Sequence, residues 1–100
     1  MEGLKITRHG SEQAGEYRAH VPGSDAVSRL TWVQHGPECD RVRAAQHTLV
    51  PRELGGQGIA ARLVDALMAD ARTQGFKVRP DCSYVAAAFD RHPDWSDLRA

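Results

Sequence analysis

Three glycines within four positions, Gly55-Gly56-Gln57-Gly58, stand with Ile59-Ala60 where a strand-like run ends and an amphipathic helical run begins. Such a junction can cradle a phosphate. Glycine lacks a Cβ, so its backbone reaches positive φ and brings N–H groups against an anion, while a helix N-terminus adds partial positive charge. The expected ligand is a pyrophosphate facing the amides of Gly56, Gln57, Gly58, Ile59 and Ala60, with Arg52 or Arg62 offering charge. A tight strand-to-helix turn is the plainer reading, but it needs fewer glycines. Two further residues bring reactive groups. Cys82 precedes Ser83, whose hydroxyl suits the cap of a second helix, and a helix N-terminus favours the thiolate over its ordinary pKa of about 8.5. The neighbouring Asp81 opposes that effect. His47, on the strand entering the loop, can act as a base or hold an amine, with a reference pKa of about 6.5. A small buried thiol and a hydrogen-bonded strand histidine are the plainer roles of these two.

Two phosphate-binding patterns fit the loop. Gly56-Gln57-Gly58-Ile59-Ala60-Ala61 matches the dinucleotide fingerprint G-x-G-x-x-[GA], with Asp81 near the offset of about 20 residues of a ribose-binding acid. A dinucleotide fold needs several βαβ units, and this chain has room for one long helix after the loop. A Walker-type loop fails because Ile59-Ala60 stands where Lys and Ser or Thr are required. A coenzyme A site is the alternative.

The segment from Arg52 to Val64 resembles the acyl-coenzyme A loop and helix of the GNAT N-acetyltransferase superfamily, with pattern [RQ]-x-x-G-x-[GA]. Gly58 and Ala60 fill the last two fixed positions, Gly55 stands where the superfamily has Arg or Gln, and Arg52 is the nearby cation. Gln46-His47-Thr48-Leu49-Val50-Pro51 before the loop resembles the small single-domain GNAT-like proteins, as do the Cys82 segment Lys77–Val85 and Arg91-His92-Pro93 after it. The resemblance covers about the last two thirds of the chain. It implies a truncated GNAT-like α/β (α+β) fold in which the strands flanking the loop helix splay to admit a pantetheine arm. It also implies acetyl-CoA as acetyl donor, an amine acceptor, and His47 and Cys82 beside the reacting centre. Backbone N–H groups near Leu49 or Val50 are then the donors to the carbonyl oxygen as it gains charge, a role worth about 2.7–4 kcal/mol of barrier in acyl-transfer enzymes. A non-catalytic module that holds coenzyme A or a nucleotide is the alternative function.

Composition is consistent with one domain spanning residues 1–100. Thirteen basic and thirteen acidic residues cancel, so the excess of cations expected of a nucleic-acid-binding surface is missing. Cys39 and Cys82 are too few for a disulfide framework and form no zinc-site spacing. Met1-Glu2-Gly3-Leu4-Lys5 has no apolar leader core, and no apolar run approaches the roughly 20 residues of a membrane span. A cytoplasmic monomer, with no nucleic-acid or membrane partner and no metal, is the expectation.

The elements that must hold the candidate residues follow from periodicity. Leu4 to Thr7 alternates as a strand, with a loop expected from Arg8 to Gly15. Glu16 to Val21 and Ala26 to Gln34 read as antiparallel strands about the turn Pro22-Gly23-Ser24-Asp25, with Tyr17, Ala19, Leu30 and Trp32 as core candidates. Gly36-Pro37-Glu38 marks another reversal. Arg41 to Val50 is then a strand carrying Val42, Ala44 and His47-Thr48 toward the loop. From about Gly56 to Gln74 the period becomes 3.6, with Ala60, Leu63, Val64, Leu67, Met68 and Ala71 as the apolar stripe and Gly75 as the stop. A short strand over 76–79 and a helix from Ser83 to about Arg91, ended before Pro93, complete the order.

Overall fold

Five strands, β1 (Lys5–Gly10), β2 (Ala14–His20), β3 (Val27–His35), β4 (Val42–Leu49) and β5 (Lys77–Pro80), form one sheet in chain order in the computed structural model, which describes residues 3–36 and 41–100. The first four are successive antiparallel neighbours, whereas β5 returns parallel to β4. A parallel return needs a crossover. Helix α1 (Ile59–Gln74) supplies it, and α2 (Ser83–Arg91) follows β5. The expected reversal at Gly36-Pro37-Glu38 and the Cys39 site lie largely outside the described residues.

The helical stripe of α1 lands as its periodicity requires from Leu63 to Ala71, but its first buried residue is Ile59 and not Ala60, which is half-buried. Ile59, Leu63, Val64, Leu67, Met68 and Ala71 are buried, while Arg62, Asp65, Ala69 and Arg72 are exposed. They pack with Tyr17, Ala19, Leu30 and Trp32 of the sheet and with Val85, Ala88 and Phe89 of α2 in one apolar cluster, so both helices cover the same face. One cross-link ties α1 to the sheet margin, and a stacked cation sits beside its end. Arg8 Nε and the Tyr17 hydroxyl both donate to Asp70 Oδ2, at 2.7 and 2.8 Å. Arg43 lies between the rings of Trp32 and Phe76, its guanidinium carbon 3.9 and 4.1 Å from their centroids.

Three further local expectations are corrected, and one element is added. β1 runs on to Gly10 and β2 begins at Ala14, where a loop over Arg8–Gly15 was read from polarity. Register explains it: Arg8 pairs with Tyr17 and His9 with Glu16, and an edge strand with one exposed face accepts polar residues throughout. The loop helix starts at Ile59 rather than Gly56, with Gly58 as its cap. Cys82, not Ser83, is the N-cap of α2. Finally, a 3₁₀ turn from Pro93 to Leu98 buries Leu98 against the cluster after α2 has ended. Among the described residues no helix is long and apolar enough to cross a membrane, and no cluster of three or more potential metal ligands occurs.

Candidate functional site

β5 pairs with β4 over its whole length, but β4 runs on beyond it. Their pairing runs from Val42 with Lys77 to Ala45 with Pro80 and then stops. Proline carries no N–H to continue the ladder, and the chain turns there, with the Asp81 N–H donating to the Arg79 carbonyl at 3.1 Å. One last bond crosses from the Cys82 N–H to the Ala45 carbonyl, at 2.9 Å. β4 continues as Gln46-His47-Thr48-Leu49 with β3 on one side and, among the described residues, no strand on the other. The sheet therefore opens a mouth at the carboxyl ends of its one parallel pair, the position where ligands enter sheets of this kind.

A bulge sets which side chains face that mouth. Trp32 pairs with Ala45, yet the preceding Thr31 pairs with His47, leaving Gln46 as an extra residue in β4. Ala45 thus faces the helices with Trp32, His47 faces the opposite side, and Thr48 returns to the helical side opposite the buried Leu30. Under regular alternation through Gln46, with no bulge, His47 and Thr48 would exchange faces.

Both helix N-termini stand at the same end of the sheet, since one follows β4 and the other follows β5. After a 3₁₀ turn over Arg52–Leu54, which buries Leu54, the chain passes Gly55 in extended geometry and reaches Gly56 and Gly58 at φ 76° and 75°. Both lie in the left-handed region that side chains rarely adopt, and a Cβ at either would meet nothing within 4 Å. The approach to the first amides of α1 is therefore open. Ile59 anchors this turn in the core, and the first α1 bond runs from the Arg62 N–H to the Gly58 carbonyl at 3.3 Å. Arg52, Gly55, Gly56, Gln57, Gly58 and Arg62 are exposed, and Ala60 is half-buried. The arrangement suits a pyrophosphate.

At the second N-terminus the Thr48 hydroxyl and Cys82 Sγ are 3.5 Å apart. Partial burial pushes the Cys82 thiol up, but the Thr48 hydroxyl and the backbone N–H groups of Val85, Tyr84 and Thr48 outweigh it, so the net shift is downward. The sulfur is held by this field without completing a capping hydrogen bond of its own. Asp81 does not oppose it freely. Its carboxylate takes two bonds from Arg79, at 2.8 and 2.7 Å, and the hydrogen-bonded guanidinium holds it below the usual carboxylate range. Arg79 also contacts His35 Nε2 at 2.6 Å.

The structure thus brings the glycine loop, Cys82 and the free edge of β4 to one end of the sheet. Leu49 and Val50 follow Thr48 there, Leu49 exposed and Val50 packed against the core. His47 is exposed on the face away from Cys82, so the two side chains approach the mouth from opposite sides. Thr48 is the residue that sequence reasoning passed over. Its signal was the His-Thr pair itself, which shows two polar side chains on a strand but not which one points at sulfur.

A profile of the GCN5-related N-acetyl-transferase family matches residues 16–98. The fold is similar to the solution structure of a GCN5-like protein from Staphylococcus aureus, with a TM-score of 0.72 and 23% identity over 100% of this chain and 91% of that one. No curated protein matches the sequence.

Proposed function

Because the chain belongs to the GCN5-related N-acetyltransferase family, we propose that it moves the acetyl group of acetyl-CoA to an amine, with the glycine loop and the mouth between β4 and β5 as the donor site. The run of β4 past the end of β5, beside a glycine-capped helix N-terminus, carries this reading. The amides from Gly56 to Ala60 hold the pyrophosphate, with Arg52 and Arg62 adding charge, and Gly55 leaves room where relatives place a long side chain. The free edge of β4 offers backbone groups to the arm that follows, and the N–H groups near Leu49 and Val50 take the thioester oxygen as it gains charge.

The amine must be neutral to attack. His47 is on the exposed face of β4, where it can take the ammonium proton, an assistance typically worth about 10²–10⁴-fold in rate. The nitrogen then bonds to the carbonyl carbon, the C–S bond breaks, and the departing sulfur takes a proton. Cys82 lies beside that sulfur's path. It receives the acetyl group itself in a two-step transfer, or contributes its proton in a direct one.

Calorimetric titration with acetyl-CoA, on wild type and Gly58→Asp, tests the donor site. Wild type binds and the variant, folded by circular dichroism, does not. Mass spectrometry of an amine panel then separates turnover from binding alone, and binding without product on any amine would make the chain a non-catalytic coenzyme A module.

A further inference from the structure

A cleft of about 500 Å³ lies beside the end of β4, lined by Val27, Arg29, Thr48, Leu49, Val50 and Pro51. Its size falls in the range of about 300–1,000 Å³ typical of small-ligand sites. Leu49 is the exposed large hydrophobic residue of the described chain, at 56%. It pairs across the strands with Arg29, so an apolar wall and a cation stand side by side.

Arg29 is under-used. Its side chain is 49% exposed, and its ion-pair partner is Glu16, with Nε 3.7 Å from Oε2. That oxygen is already engaged by Arg18 Nε at 2.6 Å. Among the described residues no hydrogen bond occupies the terminal nitrogens of Arg29, the fork that receives a carboxylate with two parallel bonds. Thr48 also lines the cleft, with its hydroxyl turned to Cys82 Sγ on the helical side. His47 shares the open face with Leu49 and Arg29, by strand alternation and pairing. A ligand anchored on Arg29 therefore extends along Leu49 toward the mouth.

We propose, resting on the acetyl-transfer reading above, that this cleft receives the acceptor, a small primary amine joined through an apolar stem to a carboxylate. The carboxylate takes the Arg29 fork, the stem lies on Leu49, and the amine arrives beside His47. Donor and acceptor then meet at the end of β4 from its two faces. Nucleophile and thioester need no shared entrance.

The matched probes 6-aminohexanoate and 6-aminohexanamide test this. With acetyl-CoA, the carboxylate is acetylated with a kcat/KM at least about tenfold above the amide, as for a charge-assisted hydrogen bond. In Arg29→Gln the preference vanishes through a rise in KM for the carboxylate alone, and Arg29→Lys keeps part of it. In parallel, without donor, nuclear magnetic resonance titration of the wild type shows 6-aminohexanoate shifting the Leu49 methyl and Arg29 Nε–H signals and the amide leaving them in place. Equal rates for the two probes overturn the proposal, as do unmoved Leu49 and Arg29 signals. If those signals shift selectively while calorimetry detects no acetyl-CoA binding, the cleft stands and the transfer reading falls.

Discussion

Cys82 shows how one position can be legible in type and misread in detail. Its place before a helix follows from Pro80-Asp81-Cys82-Ser83, and Ser83 is the better capping residue by type. The cap nevertheless falls on Cys82, because its N–H is tied to the Ala45 carbonyl, which fixes where the chain leaves the sheet. The consequence is chemical. Burial opposes the thiolate, but the Thr48 hydroxyl and the first-turn amides prevail, so the pH midpoint for alkylation by iodoacetamide is expected below the ordinary thiol value. Thr48→Val removes a stabilising donor, moves that midpoint upward and slows alkylation at pH 7. The linked stability has a definite sign: a lowered folded pKa contributes stability above the unfolded thiol pKa and loses it as pH falls through the folded value. Incubation with acetyl-CoA and peptide mass analysis is expected to show an acetyl adduct at Cys82. No adduct, with full turnover in Cys82→Ala, would leave direct transfer.

At the scale of elements, α1 carries the clearest predictions because its sequence states its geometry most fully. A stripe at 3.6-residue spacing between Gly58 and Gly75 is hard to mistake, and from Leu63 to Ala71 the buried residues are those the spacing selects, with Ile59 taking the place expected of Ala60. The positive φ at Gly58 makes Gly58→Ala destabilising by about 1–2 kcal/mol, the cost of forcing a side chain into left-handed geometry, and denaturant titration should show it. Asp70 gives α1 its grip on β1 and β2. Burial alone would raise its pKa, but the bonds from Arg8 and Tyr17 lower it below 3.8. The resulting stabilisation is complete above the ordinary carboxylate range and disappears as pH falls through the lowered folded value. Asp70→Asn should remove that acid-side dependence and cost about 1–2 kcal/mol, discounted because Arg8 is half exposed. The strands were less legible. Polarity hid the second half of β1, since an edge strand does not need alternating apolar residues. In β4, Ala44 and Ala45 are both buried and give no phase, so nothing in the composition revealed that the alternation breaks at Gln46.

The whole molecule is small enough that ligand binding should dominate its measured stability. A ligand at about 100 times its Kd adds about 2.7 kcal/mol, and each kcal/mol moves Tm by about 4–8 °C in a domain of this size. Acetyl-CoA at that concentration is therefore expected to raise Tm by roughly 10–20 °C, read by differential scanning fluorimetry. An unchanged Tm would reject the donor site independently of any acceptor. The same economy of chain gives Gln46 a peculiar status. Its exposed side chain does nothing that another residue could not do, yet its presence as a surplus unit bends β4 where β5 leaves it. Substitutions at 46 should leave coenzyme affinity nearly untouched. Deleting 46 preserves every downstream pairing with β3, including Thr31 with His47, while removing the bend in β4 where it passes the end of β5. The expected product is a folded sheet with a reshaped mouth and weaker acetyl-CoA binding by calorimetry. At this position the protein is sensitive to arithmetic and indifferent to chemistry: length carries the information, and the letter does not.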